Sequence, residues 1–237
     1  MNHPRGVAIV SGGLDSVTML HHLHENGATP QVLSFDYNQK HAKELGFAQL
    51  AAERLNLPWS LIDLSSVGEL MAASGSSLVN NSVDVPEGHY ADDTMKATVV
   101  PNRNMMMAAI ATSVCIAQDG YWVAAGPHNG DAAIYPDCRP VFWHSLEDTI
   151  RIANKGFLPH GWHFKLPFIY WSKNDIALEA KRLNVPVELT WSCYKGGTKH
   201  CGRCGTCVER LEAMNHAGIN DPTPYEDAEF WKVQVGA

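Results

Sequence analysis

At 237 residues the chain is long enough for one large α/β domain or a domain with an appendage, and 45% hydrophobic content is normal for a packed core. Eighteen Lys and Arg against 25 Asp and Glu give a net charge of −7, which argues against a broad nucleic-acid footprint or a membrane-surface role but not against a local anion site built from backbone N–H groups. No signal peptide precedes the first glycines and no apolar run approaches the ~20 residues that span a bilayer, so the expectation is a cytoplasmic protein.

Strand-like and helix-like segments alternate, which predicts an α/β fold with a doubly wound, mostly parallel sheet. Val7–Val10 reads as the first strand and Ser16–Glu25 as the first helix, closed by Gly27. Gln31–Phe35 is a second strand, Lys40–Leu55 a helix ending before Pro58, and Trp59–Asp63 a third strand. Residues 66–98 are the least patterned, and a loop of that length is functional or disordered. Asn104–Gln118 reads as a buried helix, Tyr121–Ala125 as a fourth strand, Val141–Lys155 as a helix and Phe164–Pro167 as a short extended piece. Ser172 caps a helix over Lys173–Leu183, with Asp175 in its first turn. The division expected is a nucleotide domain over 1–185 and a small cysteine-bearing helical subdomain over 186–237.

Ser11-Gly12-Gly13-Leu14-Asp15-Ser16 sits between the first strand and the first helix. A strand that breaks at two glycines and restarts as a helix aims backbone N–H groups at one point near the helix N-terminus, a ready phosphate site. Gly12 and Gly13 permit positive φ and close backbone approach, and Ser11 and Ser16 add hydroxyls. The Lys of the usual mononucleotide loop is missing. Asp15 would repel phosphate; it fits there by holding a magnesium ion, by capping loop amides or as a helix cap.

Cys193, Cys201, Cys204 and Cys207 crowd near the C-terminus. The Cys-x2-Cys spacing has the bite of a tetrahedral zinc ion, and four thiolates leave no open position, so a structural zinc is expected. A dithiol redox role uses only two cysteines. His200 is a substitute ligand in reserve, and Lys199, Arg203 and Arg210 are placed to offset the tetrathiolate charge. Cys115, on an apolar helix, reads as core.

Arg103 stands at a helix start, an unfavourable place for a cation unless it meets phosphate, the carboxylate of a substrate or a surface partner. After the fourth strand, Gly126–Asp131 and Tyr135-Pro136-Asp137-Cys138-Arg139 fall at the carboxyl edge of the sheet, where open α/β sheets bind ligands. Asp131 or Asp137 can read N–H donors of a nitrogen-rich heterocycle stacked on Tyr135 or Phe142. Cys138 is either a nucleophile, with no evident activator, or a buried thiol. Phe35-Asp36-Tyr37-Asn38-Gln39-Lys40-His41 follows the second strand beside the glycine loop; His21, His22 and His24 read as surface or packing residues.

The glycine loop resembles that of the N-type ATP pyrophosphatases (the adenine nucleotide alpha hydrolase-like fold). Together with Phe35–Gln39, Val100–Asn104, Tyr135–Arg139, Thr190–Tyr194, Cys201–Cys207 and Gly218–Pro222, it makes the chain similar to the QueC (ExsB) family over nearly its whole length. The resemblance implies a ligase that converts 7-carboxy-7-deazaguanine and ammonia to the nitrile 7-cyano-7-deazaguanine, with ATP, magnesium and a structural zinc, as a homodimer without a stable nucleic-acid partner. It implies an ATP site on Val10, Ser11, Gly12, Gly13, Leu14, Asp15, Ser16, Val17 and Phe35. It further implies catalytic work by Asp15, Ser16, Arg103 and Asp137, and a substrate site on Asp131, Tyr135, Asp137 and Arg139. The chain departs from the family pattern at Pro127-His128 and at Ala132-Ala133-Ile134, which keeps an amidase that stops at the amide, or one using another acid, as an alternative. A zinc-ribbon nucleic-acid module is the alternative outside enzymes; it calls for a basic face, whereas Asp221, Glu226, Asp227 and Glu229 make the tail acidic.

Overall fold

A computed structural model describes residues 5–90 and 93–236. Five strands form one parallel sheet in the order β3-β2-β1-β4-β5. They are β1 (Gly6–Ile9), β2 (Gln31–Asp36), β3 (Trp59–Asp63), β4 (Trp122–Ala124) and β5 (His163–Lys165). The short extended piece of the sequence is thus a fifth strand, with Phe164 opposite Val123 in register.

Side-chain alternation on β1 sorts the helices into two layers. Ala8 and Val10 face a core shared with Val17 and Leu20 of α1 (Leu14–Glu25), Ala48 and Ala52 of α2 (Glu44–Arg54) and Ile176 of α6 (Lys173–Arg182). Val7 faces the opposite core, filled by Ala108 and Ala111 of α4 (Arg103–Ala117) and by Trp143 and Leu146 of α5 (Pro140–Ala153). The doubly wound arrangement is therefore observed. Its strand order reverses between β1 and β4, so the crevice at their carboxyl ends is the topological switch point.

Helix starts follow local chemistry. Ser172 and Asp175 make the full capping box of α6, and Pro140 opens α5. Helix α2 begins at Glu44 rather than Lys40, because residues 40–43 form turns. The unpatterned stretch is built: it contains α3 (Ser65–Met71) and a turn of 3-10 helix over Asp93–Thr98, buries Leu78 and Val79 in the α4 layer, and brings Tyr90 and Met95 against Tyr135 and Cys138. The C-terminal segment carries α7 (Gly205–His216) and α8 (Phe230–Val235). Met214 of α7 enters the same core as α1 and α2. No helix among the described residues is long and apolar enough to cross a membrane.

Candidate active site

The crevice at the switch point is a cavity of ≈ 1210 Å³ with its mouth included. Its floor is the glycine loop. Gly12 has φ +99°, and a Cβ there would stand 2.0 Å from the Glu44 carbonyl oxygen, so the loop and the start of α2 touch only because position 12 is glycine. Gly13 departs from the sequence expectation: its φ of −72° is ordinary, and it serves as the backbone N-cap of α1. The loop closes on its own hydroxyls. The Ser16 Oγ accepts from the Ser11 and Gly12 amides at 3.2 and 3.3 Å, and the Ser11 Oγ accepts from the Gly13 amide at 3.3 Å. These are the donors an arriving anion would take over.

Asp15 caps neither the helix nor the loop amides. Its Oδ2 lies 2.8 Å from the Lys173 Nζ, and its buried Oδ1 has no hydrogen-bond partner. Lys173, the first residue of α6, also reaches Glu209 of α7 at 3.1 Å. His128 accepts the Gly130 amide at Nδ1, which places its proton on Nε2, 3.4 Å from Asp131 and 3.8 Å from Asp15. Tyr90 donates to the other oxygen of Asp131 at 2.9 Å. Burial alone would raise the Asp15 carboxyl, but Lys173 and His128 outweigh it and hold the group below the ordinary carboxylate range. Burial likewise works against a charged Lys173, and Asp15 and Glu209 overcome it. Glu209 goes the other way, raised by burial that Lys173 only partly offsets.

A second polar group lines the wall under β2 and α4. Arg103 projects beside Tyr37, with Nη1 3.4 Å from the phenol oxygen, and forms no salt bridge among the described residues. Glu44 and His41 lie in the same wall, His41 Nε2 3.5 Å from the Glu44 carboxylate. Burial pushes Glu44 up to about 8 against the pull of Arg103, and burial with Arg103 nearby drives His41 down to about 3. Both are neutral at pH 7.

Of the loop residues assigned to the nucleotide, Val10, Ser11, Gly13, Leu14, Asp15, Ser16 and Phe35 line the cavity; Gly12 and Val17 lie behind it. Asp131, Tyr135 and Arg103 line it too. Asp137 and Arg139 do not: the Asp137 carboxylate accepts the Asn104 amide at the start of α4, and exposed Arg139 braces the Ala132 carbonyl at 2.9 Å. The sequence missed Lys173, Glu209, Glu44 and Tyr90, because a Lys at a helix start or a Glu within a helix carries no signal until the fold brings it to the crevice. Cys138 lines the cavity, but burial and the carboxylates of Asp131 and Asp137 push its thiol up, so it stays protonated. Cys115 is core, as expected. His22 pairs with Glu179 at 2.7 Å.

The Sγ atoms of Cys193, Cys201, Cys204 and Cys207 lie within 4.8 Å of one another, and Cys201 and Cys207 are 4.0 Å apart. A tetrahedral zinc with Zn–S of about 2.3 Å separates its sulfurs by about 3.8 Å, so the four thiols fit such an ion. Backbone amides of Cys201, Arg203 and Cys204 donate to the sulfurs at 3.2–3.4 Å, as thiolates require. The three cations expected to balance that charge are otherwise placed. Arg210, fully buried, pairs with Asp221 at 2.7 Å, Arg203 pairs with Glu87 and Asp227, and Lys199 is exposed. His200 is not a fifth ligand: its Nε2 accepts the Ser192 amide and its ring packs on Trp191.

The cysteine turn abuts the cavity. The Trp191 amide donates to the Gly12 carbonyl at 2.9 Å, and the Thr206 hydroxyl donates to the Ser192 carbonyl at 2.8 Å. Helix α7 starts at Gly205 within the cluster and carries Glu209 to Lys173.

A family model described as queuosine biosynthesis protein QueC matches residues 5–218. The 7-cyano-7-deazaguanine synthase 1 of Mesorhizobium japonicum is 50% identical over 225 residues, covering 95% of this chain and 95% of that protein. The 7-cyano-7-deazaguanine synthase of Brucella ovis is 49% identical over 228 residues, again covering 95% of each. Among solved structures, NMN synthetase from Francisella tularensis aligns over 96% of this chain and 83% of its own at 16% identity, with a TM-score of 0.46.

Proposed function

The chain belongs to the QueC family, and from that membership we propose that it is an ATP-dependent carbon–nitrogen ligase converting 7-carboxy-7-deazaguanine and ammonia to 7-cyano-7-deazaguanine. The observation that carries the proposal is a glycine loop of the phosphate-binding kind at the switch point, opening into a crevice lined by Arg103, Asp131, Tyr135 and Glu44. A carboxylate does not react with ammonia because its oxygen leaves poorly. In the proposed sequence the carboxylate oxygen attacks the α-phosphorus of ATP and pyrophosphate departs. Ammonia then adds to the acyl carbon, and AMP carries away the first oxygen. The amide oxygen is adenylated in turn, the nitrogen gives up its protons, and a second AMP leaves as the C≡N bond forms.

The chain's own groups suit these steps. The loop amides freed from Ser11 and Ser16 would hold pyrophosphate, and Lys173 stands ready to follow the anion. Arg103, without a salt bridge, would meet phosphate or the acid. The orphaned Asp15 Oδ1 is the oxygen for a magnesium ion, whose chemistry is to neutralise phosphate charge. The four cysteines would hold a structural zinc. A cytoplasmic homodimer belongs to the same proposal, and sedimentation tests the dimer.

The amide-only alternative loses its main support. Ile134 is buried with Tyr90, Met95 and Cys138, and neither Ala132 nor Ala133 reaches the cavity, so the departure from the family pattern meets the site only at Pro127 in the wall and at His128 behind Asp15 and Asp131. Incubation with 7-carboxy-7-deazaguanine, ammonium and magnesium ATP is expected to yield the nitrile by mass spectrometry. Accumulation of amide alone would restore the alternative, and absence of both products from folded, zinc-loaded protein would refute the ligase.

A further inference from the structure

Among the described residues four carboxylates line the cavity, and three are committed. Asp15 and Glu209 share Lys173, and Asp131 takes the Tyr90 hydroxyl with His128 alongside. Glu44 has no partner of that strength among the described residues. The Gln39 amide lies beside it and His41 stands 3.5 Å off, while Arg103 contributes its charge from the facing helix. Gln39 is itself tied down, accepting the Tyr37 amide at 2.9 Å and donating to the Phe35 carbonyl at 3.1 Å. Glu44 is 8% exposed, and the neighbouring His41 is 4% exposed with its Nδ1 unpartnered. The wall therefore holds an acceptor-rich carboxylate next to a guanidinium, framed by the rings of Tyr37 and Tyr194, the latter 5.1 Å from the His41 ring.

That order of groups has a chemical complement. A carboxylate offers about four lone-pair sites, so one that already receives the Gln39 amide still accepts from two parallel N–H donors. A guanine-type ring offers such a pair at N1–H and the exocyclic 2-amino group, with a carbonyl beside them that wants a cationic donor. Adenine does not fit, since it pairs one N–H donor with an acceptor nitrogen. We propose that Glu44 reads the N1–H and 2-amino edge of the deazaguanine ring, with Arg103 at the adjoining carbonyl and carboxyl side, so that Glu44 sets which base is accepted. This rests on the ligase reading and takes the base-reading role expected of Asp131 or Asp137, whose carboxylates are occupied by the Tyr90 hydroxyl and by the Asn104 amide at the start of α4. Two donors arriving at Glu44 would stabilise its charged form, so binding would expel the proton that burial keeps there. The groups facing it are His41 from the turn before α2, Tyr37 after β2, Arg103 on α4 and Tyr194 beside the cysteine turn.

Calorimetry on the zinc-loaded protein decides the matter, with 7-carboxy-7-deazaguanine and its analogue lacking the 2-amino group as probes. Wild type is expected to prefer the first by roughly 30-fold or more, and the near-isosteric E44Q to shrink the gap below about 5-fold, because an amide N–H then meets an N–H. Binding heats measured in buffers of different ionisation enthalpy are expected to report proton release near pH 7 in wild type and none in E44Q. A merely structural Glu44 would leave the base preference and the proton count unchanged in the variant, and that result overturns the assignment. Should E44Q fail to fold, wild type alone decides: equal affinity for the two bases, or binding without proton release, refutes it. If wild type binds neither base, the ligase reading falls as well; if it binds the acid without discrimination, only the role of Glu44 falls.

Discussion

At the scale of single residues, the site is held by contacts that admit one side chain. Gly12 is the sharpest case, since a methyl group at its position meets the Glu44 carbonyl far inside van der Waals contact at a positive φ. Gly12→Ala is expected to cost about 2 kcal/mol or more in urea denaturation and to weaken ATP binding with it. Lys173 is the second case. Lys173→Met would leave Asp15 and Glu209 facing each other without their shared cation, an expected loss of about 3 kcal/mol by the same measurement. Glu209→Gln is expected to be much milder, because Asp15 keeps the ammonium. Neither pairing was legible in the sequence. Asp15 and Lys173 are far apart along the chain, and only the packing of α6 against α1 brings the two helix starts together.

At the scale of elements, α7 is the informative piece. Its first turn is anchored by Cys204 and Cys207 and its second presents Glu209 to the cavity, so the metal site and the cavity wall share one helix. Cys204→Ser is expected to lose zinc in metal analysis, to raise hydrogen exchange in the first turn of α7, and to weaken ATP binding at least ~10-fold as Thr206 and Glu209 lose their placement. The strands and the long helices were readable from periodicity, to within a few residues at each end. β5 was only half-read, because three residues ending before Pro167 are too few for alternation to register. Residues 66–98 escaped altogether. Their buried members, Leu78, Val79, Tyr90 and Met95, follow no period, because they fill gaps in two separate clusters, one in the α4 layer and one against Tyr135 and Cys138.

At the scale of the whole molecule, three buried groups set a pH profile. His41 and His200, each held near 3 in the folded protein, bind a proton only in the unfolded chain between about 3 and 6.5, so stability rises with pH across that interval. Glu44, near 8, keeps a proton in the folded protein that the unfolded chain has lost above 4.5, so its contribution falls as pH rises from 4.5 to 8. Two rising terms against one falling term below 6.5, and the falling term alone above it, place the maximum of these contributions near pH 6.5. The Glu44 contribution is isolated by difference: the thermal midpoint of E44Q is expected to rise relative to wild type as pH increases from 6.5 to 8, the zinc thiolates contributing equally to both proteins. The architecture, the phosphate loop and the cysteine cluster were all visible in the sequence because each is a local pattern. The polar cavity wall around Glu44 and Arg103 was not, because it is assembled from β2, α2, α4 and the cysteine turn. One hydrogen bond shows what such assembly means for a chain made from one end to the other. Gly12 emerges early from the ribosome and its partner Trp191 emerges late, so the nascent chain has a phosphate loop long before it has the wall that completes it.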